Sequence, residues 1–366
     1  MITEAEKRVL NIIIEDPTAS QEEIARLLGI TRSAVATHVS SLMKKGMLKR
    51  GYIVNEKASA VVVGGTNFDI KGVSFDNIVP VTSNPGRIEF SPGGVARNIA
   101  ENLARLEVKT RLITLVGDDM YGDMLLKEAE RSGIDISACD KIPHKTSGTY
   151  VAIESPDGDM ALALSDMEIF SEMTPEFISS RIKALDAASV IAADTNLPLN
   201  TFVYLKSQAK QRGIPFCVEP VSVPKAEYLR GQLEDIYLIT PNVEEAAAIA
   251  GMEIKSDAGI KEAAVSINRQ GVQVVVITLG KRGIYLYHDG KGSFLDSMSA
   301  RVVDTTGAGD ALFAGMVYGI YGGYRIEKAA ECGLACAAAA VSSSLTVSPI
   351  INPSYIEKMM GINMSR

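Results

Sequence analysis

Residues 304–315 read Asp304-Thr305-Thr306-Gly307-Ala308-Gly309-Asp310-Ala311-Leu312-Phe313-Ala314-Gly315. Small residues let the backbone turn sharply ahead of a helix predicted to begin near Asp310. Several N–H groups and the helix N-terminus then converge where an anion can sit. A phosphate fits such a turn. Asp310 stands where a carboxylate can take a proton from an attacking hydroxyl while the N–H groups stabilise charge on a transferring phosphoryl group. A lone glycine turn reads first as a helix cap, but Gly93-Gly94-Val95-Ala96-Arg97-Asn98 is a second one, opening a helix predicted over 99–106. The chain has neither Gly-x-x-x-x-Gly-Lys-Ser/Thr nor Gly-x-Gly-x-x-Gly, which removes the P-loop and dinucleotide-binding readings.

Apolar runs spread outward from these turns: Ala60-Val61-Val62-Val63, then 112–116, 190–193, 216–219, 236–240 and 274–279. They alternate with amphipathic or alanine-rich helical segments, the pattern of a parallel sheet covered on both faces. The fold class is α/β. Residues 86–90 and a hairpin, 149–154 with 160–164 around Pro156-Asp157-Gly158-Asp159, stand outside the alternation and suit a β lid.

The first 57 residues differ in character. Val9, Leu10, Ile13 and Ile14 give a helical face that ends at Asp16-Pro17. Ser20 and Glu23 form a capping box for a second helix, with Ile24, Leu27 and Leu28 inward, and Gly29 closes it. Thr31 caps a third helix with a buried stripe of Val35, Val39, Leu42 and Met43. No acidic residue occurs between Thr31 and Arg50, and a short hairpin, or wing, follows around 47–54. This suits a reader of the DNA major groove, with Arg32, Ser33, Thr37, His38, Lys44, Lys45, Lys49 and Arg50 as the candidate contacts. A small dimerisation domain is the competing interpretation.

The 366 residues carry a net charge of −7, divided as +2 over 1–57 and −9 over 58–366. The domain boundary is expected between 57 and 58. With 46% hydrophobic and 22% charged residues and a mean hydropathy of +0.12, the chain can bury a large core. No run of about 18 apolar residues occurs and four of the first eight residues are charged, so no membrane partner and a cytoplasmic location are expected. Cys139, Cys217, Cys332 and Cys336 read as buried thiols rather than metal ligands.

The Gly93–Leu106 and Asp304–Gly315 segments resemble the two signatures of the ribokinase-like, phosphofructokinase-B family of carbohydrate and nucleoside kinases, and the similarity runs from about Ala60 to the C-terminus. The residues 1–57 resemble winged helix-turn-helix domains. The kinase resemblance implies ATP-dependent phosphorylation of a primary hydroxyl by a Rossmann-like α/β/α sandwich, with lid segments at about 68–92 and 147–165. It makes Asp310 the catalytic base and Gly307, Ala308 and Gly309 the anion hole. It makes Asn67, Asp69, Gly94 and Asn98 sugar contacts, and Asn242, Thr278, Gly280 and Gly283 nucleotide contacts. Glu245 matches the carboxylate that organises Mg²⁺ through water, the ion required to neutralise the phosphates. Asp304 and Thr306 fall where some members bind a monovalent cation, which makes K⁺ activation an expectation.

Ribokinases usually have lysine where this chain has Val95, which argues against ribose. The run from Ser83 to Leu103, Ser165–Ile169, Ala193–Asn196 and Glu219–Ser222 resemble the pseudouridine kinases of the family. That resemblance implies pseudouridine as acceptor, with Asp166 near the base or ribose and Asp194 or Asn196 on the sugar. A kinase of another nucleoside or sugar, and a ligand-sensing transcriptional regulator, are the alternatives. An intact Asp310 favours an enzyme, because a pure sensor needs no general base. A homodimer is expected from lid-mediated pairing among relatives and from the symmetry that helix-turn-helix domains use.

Overall fold

Val61 and Val63 face one apolar core and Ala60 and Val62 the other, because successive side chains of a strand point to opposite faces. That strand, Ser59–Val63, lies inside an eight-stranded sheet. The order across it is Lys291–Leu295, Ile284–His288, Val274–Thr278, Leu238–Ile239, Phe216–Glu219, Ala188–Asp194, Ser59–Val63, Thr110–Ile113. The six strands from Val274–Thr278 onward are parallel, and Ile284–His288 pairs antiparallel with its neighbour on each side. The computed structural model describes residues 2–15, 19–49, 53–54 and 59–361.

One core holds the helices Val95–Arg105, Ala308–Tyr321 and Ile326–Val341. The last two pack so closely that a Cβ at Gly315 would lie 2.6 Å from the Cys332 carbonyl oxygen. Phe313 is fully buried there, and its truncation to alanine would cost about 3–5 kcal/mol. The cysteines are free thiols, and Cys217, Cys332 and Cys336 are buried, as their apolar contexts indicate.

Two predicted strands differ from those observed. The 112–116 run breaks at Thr114, whose hydroxyl turns inward to the Gly64 carbonyl at 2.7 Å. Thr110–Ile113 joins the main sheet and Leu115–Gly117 pairs with Asp140–Ile142. The 236–240 run contributes only Leu238–Ile239. Both helices at the glycine turns start earlier than predicted, at Val95 and Ala308, so Asn98 and Asp310 sit inside first turns.

A separate four-stranded sheet forms the lid, in the order Met160–Asp166, Gly148–Glu154, Asn67–Ser74, Gly86–Gly93. It includes the predicted hairpin, and its strands reach Asn67 and Asp166 at its ends.

The amino-terminal helices are Glu4–Glu15, Gln21–Leu28 and Arg32–Lys44. The Ser20–Glu23 capping box, the left-handed Gly29 and the Thr31 cap are all present. Val9, Leu10, Ile13, Ile24, Val35, Val39 and Leu42 form the core, whereas Ile14, Leu27 and Met43 are exposed at the margins of their stripes. Leu48–Lys49 pairs with Ile53–Val54 as the wing. Arg32, Ser33, Thr37 and Lys44 are exposed and His38 is half-buried. Lys45 is a correction. Its ammonium donates to both Glu6 oxygens, at 2.9 and 2.7 Å, and so braces the first helix against the third. Arg50, the Lys49 side chain, the Asp16-Pro17 stop and the boundary at 57/58 lie outside the described residues. Among those residues, no helix is long and apolar enough to cross a membrane.

Candidate active site

From Ser59–Val63 the chain adds a neighbour on one side, Thr110–Ile113, and later one on the other, Ala188–Asp194. A crevice opens at the carboxyl ends of parallel strands where the winding reverses in this way. Asn67, Asp194, Glu219, Asn242 and Thr278 all lie at or just beyond such ends. The Ala308–Tyr321 helix points its N-terminus at the same crevice. Gly307 has φ +78°, and a Cβ there would fall 2.3 Å from the Thr346 carbonyl oxygen, so the turn requires glycine. A Cβ at Gly309 would meet nothing, which leaves open space over the helix end. Ala308 is less available than its neighbours, since its N–H donates to Thr305 O at 3.3 Å. Asp304 accepts from the Thr306 N–H at 2.8 Å, and that bond holds its carboxyl below the usual range.

Asn98 Nδ2 donates to Asp310 Oδ2 at 2.8 Å. Burial pushes Asp310 up to about 7, against the Asn98 hydrogen bond and with the help of the Asp194 and Asp69 charges. Asn67 donates its amide to Asp69, which burial raises to about 6 despite that bond and the Arg97 charge. Gly94, with φ +97°, lets the two substrate-side loops touch: a Cβ there would lie 2.6 Å from Gly65 O and Thr66 Cα.

Asp194 does not face the crevice. Fully buried, it accepts from the N–H groups of Gly65, Ala96 and Asn196 and so ties three segments together beneath the site. The Asn196 side chain takes a bond from Lys225. Asp166 is exposed at the end of the lid hairpin and accepts from the Glu168 N–H at 3.4 Å, a weak cap on the following turn.

A cavity of about 190 Å³ is lined by Val95, Glu219, Asn242, Glu245, Gly309 and Asp310, among others. Asn242 and Thr278 connect it to a second space of about 570 Å³ with Ile254, Ile260, Leu279, Gly280 and Arg282 on its walls. Asn242 and Glu245 form a reciprocal capping box at 2.8 and 2.9 Å, and both also line the smaller cavity. Gly283 lines neither space. With φ +87° and a would-be Cβ 2.1 Å from Leu295 O, it shapes the loop instead.

Residues 57–353 match the family described as pfkB family carbohydrate kinase. The chain belongs to that family. This pfkB kinase also carries, over residues 2–49, a match to the family described as winged helix-turn-helix DNA-binding. It is 36% identical over 349 residues to the Escherichia coli (strain K12) protein named uncharacterized sugar kinase YeiI, covering 95% of this chain and 96% of that one. It is 31% identical over 298 residues to the pseudouridine kinase of the same strain, covering 81% and 94%. Its fold matches Arabidopsis thaliana ribokinase complexed with ribose and ATP, at a TM-score of 0.75 and 20% identity over 84% of this chain and 99% of that one. As a pfkB kinase it is a phosphotransferase with an alcohol group as acceptor.

Glu219 is the site residue that sequence reasoning quoted without a role. Buried at the end of its strand, it accepts from the Thr240 hydroxyl. Burial raises its pKa well above the ordinary value, and the charges of Asp310, Glu245 and Asp194 push the same way. The signal was present: an acidic residue ending an otherwise apolar strand run. Mg-nucleotide fits these residues. The open space at Gly309 lies on a helix N-terminus, and the Glu219 and Glu245 carboxyls line the same cavity, where they offer oxygen ligands to a divalent cation or its waters.

Proposed function

We propose that this kinase transfers the γ-phosphoryl group of ATP to the 5′-hydroxyl of pseudouridine, giving pseudouridine 5′-phosphate and ADP. The observation that carries the acceptor is Val95 on the wall of the cavity that also holds Asp310. Where ribokinases usually have a cation, this chain has the uncharged Val95, and the pseudouridine kinase similarity over 94% of that relative supports the same acceptor.

Asn67 and Asp69 bind ribose hydroxyls at the lid side. Asp310 accepts the hydroxyl proton through Oδ1, the oxygen that Asn98 does not engage. Gly307 and Gly309 N–H groups, with the helix dipole behind them, stabilise charge as it develops on the transferring group. Glu245 and Glu219 are the residues that would hold Mg²⁺ through its waters, and the ion would supply neutralisation of the phosphate charge. Ile254, Ile260 and Leu279 on the wall of the larger space, with Thr278 and Gly280, take the adenine nucleotide. The Asp304–Thr306 turn is the proposed K⁺ site. Ile88, Phe90, Leu162 and Leu164, exposed on one face of the lid sheet, support a homodimer paired through the lid. The exposed Arg32–Lys44 face supports DNA binding by the amino-terminal domain.

An ATP-coupled assay across pseudouridine, uridine, cytidine, adenosine, inosine and ribose, with Mg²⁺ and with or without K⁺, tests this. Strong preference for pseudouridine is the expected result. Preference for ribose or another nucleoside removes the acceptor assignment and leaves the mechanism. Binding without turnover moves the weight to a ligand-sensing regulator.

A further inference from the structure

Arg97 lies in the first turn of the Val95–Arg105 helix and is only 4% exposed. Helix energetics do not explain it there. A cation opposes the positive end of the helix dipole, and an arginine four residues before Glu101 is the weaker order for such a pair. Pairing with Glu101 is only part of its role, since Arg105 already donates to Glu101 Oε1 from Nε at 3.0 Å and from Nη2 at 2.7 Å and leaves Oε2 to Arg97.

The guanidinium reaches elsewhere. Besides pairing with Glu101, its Nη1 donates to Asn98 Oδ1 at 3.1 Å and to the Pro92 carbonyl at 3.3 Å. Asn98 is buried, and its other amide atom, Nδ2, donates to Asp310 Oδ2. A guanidinium can only donate and an ionised carboxylate can only accept. A flipped Asn98 would therefore set N–H against N–H and oxygen against oxygen. Pro92 belongs to the lid strand Gly86–Gly93, so the same side chain grips the exit of the lid.

We propose that Arg97 is a positioning residue for phosphoryl transfer: by holding Asn98 Oδ1 it fixes the amide so that Nδ2 meets Asp310 in its ionised form. The proposal rests on the reading of Asp310 as the base. Without Arg97 the Asn98 amide turns freely, and ionised Asp310 loses a donor that offsets the Asp69, Asp194 and Glu219 carboxyls around it.

The test is a double-mutant cycle of Arg97→Met and Asn98→Ala, read as kcat against pH with MgATP and whichever acceptor the wild type turns over best. Arg97→Met alone is expected to lower kcat at pH 7 by about tenfold or more and to move the acid limb upward by about one pH unit. In the Asn98→Ala background the same substitution changes kcat by less than about twofold. Arg97→Gln serves the same cycle if Arg97→Met does not fold. Independent, multiplying losses, or an acid limb that stays in place, overturn the proposal. Asp310→Asn measured alongside separates the two readings: retained turnover there removes the base assignment and this proposal together. An inactive Asp310→Asn with independent Arg97 and Asn98 effects removes only the role of Arg97. A wild type that turns over no acceptor overturns both.

Discussion

Asn98 and Asp310, 212 residues apart in sequence, meet through a 2.8 Å hydrogen bond that joins the first turns of two helices. The bond stabilises the ionised carboxylate, while burial and the neighbouring acids stabilise the protonated one, and the balance lies at about 7.

Turnover should therefore fall as pH drops through about 7, because Asp310 must be ionised to accept a proton. Asp69, at about 6, adds a second protonation to the acid limb of kcat/KM, so the limb is steeper than one proton requires. A pH profile of the wild type beside Asp69→Asn checks this, with the variant expected to show a single-proton limb. Asp310→Asn should lower kcat by about 10³-fold or more with nucleoside binding largely kept.

The two glycines of the anion turn should fail in different ways. Gly307→Ala places a Cβ against Thr346 in a left-handed conformation, and its melting temperature should drop by several degrees. Gly309→Ala meets no protein atom, so its melting temperature should hold while KM for MgATP rises and kcat falls. Thermal melts paired with kinetics distinguish the two.

Burial raises the pKa of Glu219 well above its ordinary value, and a nearby Mg²⁺ would favour its ionised form. Binding of MgATP should release protons, measurable by calorimetry in buffers of different ionisation enthalpy. Glu219→Gln should abolish most of that release and raise the Mg²⁺ needed for half-maximal activity by about tenfold.

In the amino-terminal domain, Arg32→Ala and Lys44→Ala should each reduce the salt slope of DNA binding by about one. Lys45→Ala should leave the slope unchanged and destabilise the domain instead. Burial disfavours an ionised Glu6, but the bonds from Lys45, Ser41 and Thr3 outweigh it and hold its pKa at about 2. A depressed carboxyl stabilises fully above its ordinary pKa of 4.5 and loses that contribution as pH falls toward 2. Wild-type and Lys45→Ala melts should therefore differ at pH 7 and converge at low pH.

Features whose causes are local were legible in the chain itself. The Ser20–Glu23 capping box, the left-handed Gly29, the apolar strand Phe216–Glu219 and the glycine turn before Asp310 each follow from conformational limits acting over a few residues. The tertiary structure decided what depends on which segments meet. It turned Thr114 inward and split a strand, and it took Lys45 from the face expected to meet DNA to Glu6. It put Asp194 under the site rather than in it. It joined Arg97, Asn98 and Asp310 into one chain of hydrogen bonds. Burial raises the pKa of Asp310 and Glu219, and burial is created by packing of distant segments, so no local pattern encodes it. The sequence named the groups able to do chemistry, and the fold set their protonation and orientation.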